Sequence, residues 1–86
     1  MTDAIISVDD DGIIRIYNAA SLELLDTNNN LNGHNIDNIL PLTDKFDNSI
    51  SIFSELKQAK SVVRRDDLYY TFSDSEKIRL LITYAP

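Results

Sequence analysis

Few residues in this chain are equipped for covalent chemistry. It contains no cysteine, which removes thiolate nucleophiles, thiolate metal ligands and disulfides together. Its single histidine, His34, follows Gly33 in an Asn-rich stretch, and no Ser/His/Asp set or paired-carboxylate site accompanies it. With two glycines in all, Gly12 and Gly33, no phosphate-cradling loop can be built. The run Asp9, Asp10, Asp11 could offer carboxylate oxygens to Ca²⁺ or Mg²⁺. It lacks the spaced Asp/Asn ladder and closing Glu of a calcium loop, however, and turn formation explains Asp-Gly adequately. The expectation is a chain that is not an enzyme and holds no metal or cofactor.

The elements that would position these residues must fit into 86 residues, room for one domain, 1–86. A domain of this size buries about 60% of the surface its unfolded chain exposes, so its core is modest. The net charge of −6 repels phosphate backbones, and no Lys/Arg stripe offsets it, so no nucleic acid partner is expected. The longest apolar runs, such as Leu80 to Ile82, are far short of a membrane span, and the N-terminus lacks a signal-peptide pattern. A cytoplasmic location without direct membrane contact is the expectation.

Along the chain, β-branched runs at 4–9 and 13–17 flank the Asp-Gly pair at Asp11 and Gly12, a strong hairpin signal. Asn18 is a candidate N-cap for a helix beginning at Ala19. The segment 26–33 is polar and Asn-rich and reads as a loop. Ile36, Ile39 and Leu40 suit one helical turn stopped by Pro41. Phe46, Ile50, Phe53 and Leu56 recur at helical spacing, predicting a longer amphipathic helix over 46–59. Two further strand-like segments, 61–72 and 78–84, flank a polar turn at Ser73–Glu76. The predicted fold class is α+β: two hairpins in an antiparallel sheet, with short helices and one longer helix packed on one face.

In order and spacing these residues resemble the PAS family of sensor domains. Residues 5–20, with Gly12 and Asn18, look like that family's opening hairpin and its asparagine. Leu24, Leu25 and the stretch from Gly33 to Ile36 fall where the family has a short helix and a glycine. Residues 69–72 and 80–86 look like its two later strands. Family members often carry Gly near the position of Asp26, so the helix end here is expected to be built differently. The resemblance also implies a further strand beyond Pro86, between the first and penultimate strands. Some relatives ligate haem through a histidine on a cavity-lining helix. His34, in a loop, is expected to face solvent instead.

The resemblance implies a sensory or regulatory input domain of a signal-transduction protein, most often a sensor histidine kinase of a two-component system. Its effector domain would lie in the same full-length chain, and it would act by ligand- or partner-biased packing. A homodimer is expected, with a small apolar ligand as a further candidate partner. The alternative is a ligand-free dimerisation or protein-interaction module. The residues expected to line a ligand cavity, or to fill a close-packed core, are Ile6, Val8, Ile39, Phe46, Ile50, Phe53, Leu56, Leu80 and Ile82. Gly12 and Asn18 are the structural motif, Asn18 either as a plain cap or as part of a signalling route. Arg64, Arg65, Asp66 and Asp67 are expected to form a solvated, charge-balanced strand surface.

Overall fold

The computed structural model describes residues 3–86. The architecture is α+β, with antiparallel strands throughout, in a two-stranded and a four-stranded sheet. Two compact units make up the chain, Met1–Ile39 and Leu40–Pro86.

In the first unit, β1 (Ile6–Val8) pairs antiparallel with β2 (Ile14–Tyr17), setting Ile6 opposite Tyr17 and Val8 opposite Ile14. The Gly12 N–H donates to the Asp9 carbonyl (3.0 Å) and the Asp9 N–H to the Ile13 carbonyl (2.9 Å). Gly12 takes φ 79°, so the connection is a type I turn closed by a left-handed residue, a backbone that glycine adopts without steric cost. At the start of β2 the outer edge is met by residues 33–36. Ile14 exchanges backbone bonds with Gly33 and His34 (both 2.9 Å), and the Ile36 N–H donates to Gly12 (2.9 Å).

Helix α1 (Ala19–Leu25) starts at Asn18, whose extended backbone and accepting side chain make it the N-cap. It ends at Asp26 in the left-handed conformation, φ 52°. The Asp26 N–H bonds Glu23 and the Thr27 N–H bonds Leu22 (3.0 Å), a Schellman closure in which Asp26 does what glycine usually does. A short α2 (Ile36–Ile39) follows and stops before Pro41. Ile14, Leu25, Leu31 and Ile36 are the buried hydrophobic residues of this unit, with Ser21 as a buried polar one.

The second unit departs from the sequence expectation at its start. Residues 46–59 are not one helix. β3 (Leu42–Thr43) and β4 (Ser49–Ile50) form a small hairpin, and only Ile52–Gln58 is helical, as α3. Asp44 explains the break. Its Oδ1 accepts from the backbone N–H groups of Phe46 (2.8 Å) and Asn48 (2.9 Å), an Asx-type arrangement that competes with helix. Asp47 then takes φ 65° and Ser51 caps α3, its hydroxyl accepting from the Ser54 N–H. Phe46, predicted to lie on the apolar face of a helix, sits instead at this turn and is 73% exposed. At seven residues each, α3 is no longer than α1.

The long hairpin falls close to where the sequence places it, as β5 (Val63–Thr71) and β6 (Lys77–Tyr84), and the sheet order is β4-β3-β5-β6. Its turn repeats the geometry of the other two. Ser75 donates to Phe72 (2.9 Å) and Phe72 to Glu76 (2.8 Å), with Ser75 at φ 72°. Between Arg65 and Leu68 the register slips, an extra residue on β5 forming a bulge. This slip keeps Val63, Arg65, Leu68 and Tyr70 in register with Tyr84, Ile82, Leu80 and Ile78 respectively. Leu40, Leu42, Ile52, Leu68 and Tyr84 are the buried hydrophobic residues of this unit.

Candidate functional site

Each unit contains a polar cluster that joins separate elements. In the first, Asn18 Oδ1 accepts from the Ile5 N–H (3.0 Å), the Ser21 N–H (3.1 Å) and the Ser21 hydroxyl (2.8 Å). Its amide Nδ2 donates to the Asp3 carbonyl (2.8 Å). The Ser21 hydroxyl also lies 2.8 Å from the Ile5 carbonyl, and its single proton serves one acceptor at a time. Asn18 is therefore more than a cap: it clasps the chain leading into β1 to the first turn of α1. That accounts for an asparagine, since aspartate could accept the same bonds but could not donate the fourth.

In the second unit the cluster is Glu55, Arg65, Asp67 and Tyr84. Asp67 binds the Arg65 guanidinium through both oxygens, at 2.9 and 3.0 Å. Arg65 Nη1 also lies 3.5 Å from Glu55 Oε1 on α3, and the Tyr84 hydroxyl donates to Glu55 Oε2 at 3.3 Å. The Asp67 hydrogen bonds push the Arg65 pKa up, and Arg65 in turn holds Asp67 below the usual carboxylate range. The arrangement is a polar latch that fixes α3 to β5 and β6.

The sequence predicts Arg65 on a solvated strand surface along with Arg64, Asp66 and Asp67. Its neighbours in that run are exposed, but Arg65 is half-buried. The two-residue period from Val63 is the signal that would have found it, since it puts Arg65 on Val63's side of the strand.

The nine residues predicted to line a cavity or core divide between the units. Ile6, Val8 and Ile39 belong to the first and are half-buried. In the second, Ile50 stands opposite Leu42, Leu80 opposite Leu68 and Ile82 opposite Arg65. Phe53 and Leu56 lie half-buried on α3, with the Lys57 ammonium 5.7 Å from the Phe53 ring centre. The fully buried positions are others, among them Ile14, Leu31, Leu42 and Leu68. Leu31 escaped the sequence reading because asparagines surround it. A lone large aliphatic side chain in a polar loop was the available clue.

The His34 side chain is exposed, while its backbone carbonyl accepts from Ile14. The Asp9 carboxylate is already engaged. Oδ1 accepts from Asp11 (2.9 Å) and Ile13 (3.1 Å), and Oδ2 pairs with Arg15 (2.8 Å). Among the described residues no group of three or more His, Cys, Asp or Glu could hold a metal ion, and no helix is long and apolar enough to cross a membrane. Comparison with family models, curated proteins and solved structures returns no match.

Proposed function

We propose that this chain is a PAS-type sensory or regulatory input module of a cytoplasmic signal-transduction protein, biasing an effector domain in the same full-length chain. A sensor histidine kinase is the effector class proposed. The observation that carries this reading is the Glu55–Arg65–Tyr84 latch. A switching element needs two discrete packings separated by a few kcal/mol. α3 has only one buried side chain, Ile52, and part-exposed polar contacts tie it to the strands. Ion pairs exposed to this degree contribute about 0–1 kcal/mol each, so a bound ligand or partner could break or strengthen them. A purely apolar contact would offer no such discrete event.

Residue-resolved hydrogen exchange tests this directly. In a module that switches, α3 opens in a local event well below global unfolding, and Glu55→Gln speeds exchange in α3 while Leu68 and Leu80 keep their protection. If α3 exchanges only with global unfolding, no element is free to switch and the proposal fails. The competing reading, a ligand-free dimerisation module, draws on the place of β6 as an outer strand of its sheet among the described residues. Native mass spectrometry of gently purified protein separates the two, because a retained small molecule fits only the sensory reading.

A further inference from the structure

Residues 31–36 run beside the start of β2 and are tied to it through the backbone. The Gly33 N–H donates to the Ile14 carbonyl and the Ile14 N–H to the His34 carbonyl, both at 2.9 Å. Leu31 and Ile36, 1% and 3% exposed, anchor the two ends of this segment in the core of the first unit. Between the anchors, Asn32 and Gly33 are exposed. Asn32 is the one asparagine of the chain that precedes glycine, and each of the others precedes a residue with a Cβ. Such a Cβ crowds the approach of an asparagine side chain to the next backbone nitrogen, and glycine removes the crowding. At Gly33 the place a Cβ would take is open, with nothing within 4 Å.

We infer that Asn32 is a site of spontaneous modification, at which the backbone isomerises when the loop leaves β2. In the reaction the Gly33 nitrogen gives up its proton to solvent base and bonds to Asn32 Cγ, and the side-chain amide nitrogen departs as ammonia. Water then opens the resulting cyclic imide at either of its two carbonyls. One product is aspartate. The other is isoaspartate, in which the main chain runs through the former side chain. The folded structure holds the reaction in check, because the proton on the attacking nitrogen is committed to the Ile14 carbonyl. The loop must open first, a local event with its own free energy below that of global unfolding. Once formed, the isoaspartate chain cannot close as before. It is longer by one carbon–carbon bond, about 1.5 Å, between Leu31 and Gly33. With Leu31 and Ile36 held by burial, the added length falls on the bonds that Gly33 and His34 make to Ile14. Those backbone groups are then left for water. This inference is independent of the sensory reading.

Site-resolved mass spectrometry of the purified chain, held at mildly alkaline pH both folded and in denaturant, tests the assignment. In denaturant Asn32 should convert ahead of every other asparagine, and Gly33→Ala should abolish that lead. In the folded chain conversion should be slower by about tenfold or more, the factor that even a modest opening free energy imposes. The product gives a second readout. In the isoaspartate form the Ile14 and Gly33 amides should exchange faster with solvent deuterium. Asn32→Asp, which carries the same charge on a chain of unchanged length, should keep the native protection of both. Equal conversion rates in the folded and denatured chains would overturn the proposal, as would another asparagine leading in denaturant. So would an isoaspartate form whose Ile14 and Gly33 amides stay as protected as those of Asn32→Asp.

Discussion

Among the described residues three other than glycine occupy the left-handed region, and two of them, Asp47 and Ser75, close turns of the same geometry that Gly12 closes in the first hairpin. Asp47 has compensation, because its carboxylate pairs with Lys77 at 2.6 Å. Ser75 has no side-chain partner among the described residues, so its strain is offset by the hairpin around it. Ser75→Gly should raise stability by about 0.5–1 kcal/mol, the relief of left-handed strain exceeding the added unfolded-state entropy. For a chain this short that is roughly 2–8 °C in melting temperature. An unchanged or lower midpoint in thermal melts would show that the position is not strained.

The turns also fix the acid sensitivity of the hairpins. Backbone N–H bonds, from Ile13 to Asp9 and from Asn48 to Asp44, are the largest influence lowering the pKa of each carboxylate. A group depressed in the folded state contributes stability above its unfolded pKa and loses it as pH falls through the folded value. Melting temperature should accordingly hold between pH 7 and about 5 and fall below about pH 4, where ordinary carboxylates titrate. Asp44→Asn should flatten part of that fall. Equal acid slopes in variant and wild type would contradict the assignment. At this same scale of elements, both hairpin signals are legible in sequence, because Asp-Gly and the alternation in 78–84 act locally. The helix over 46–59 is not. The spacing of Phe46, Ile50, Phe53 and Leu56 fits a helix, but the Asp44 side chain captures the backbone before a helix can begin. Arg65 was misplaced for the related reason that four charges in a row hide the two-residue period beneath them.

Over the whole molecule the core is small, and its weight does not rest where the apolar spacing suggested. Leu68 is 0% exposed and Phe53 is only half-buried. Leu68→Ala should cost about 2–5 kcal/mol and Phe53→Ala clearly less. Against a total of roughly 5 kcal/mol for a domain near the lower limit, the first substitution leaves much of the population unfolded and the second does not. Chemical denaturation of both variants checks the order, and a reversed ranking would place the core at α3. The bulged β5–β6 hairpin carries a consequence for time as well as for energy. Its strands are joined by a turn that closes over a few residues, whereas Leu42 meets Tyr70 only after the chain has looped back across α3. Closing a short loop costs little entropy and takes microseconds, so the hairpin assembles first and β3 docks onto it later. Leu68→Ala should then slow refolding as well as hasten unfolding, while Leu42→Ala acts mainly on the unfolding limb. The stopped-flow arms of the two variants would reveal which strand the chain waits for.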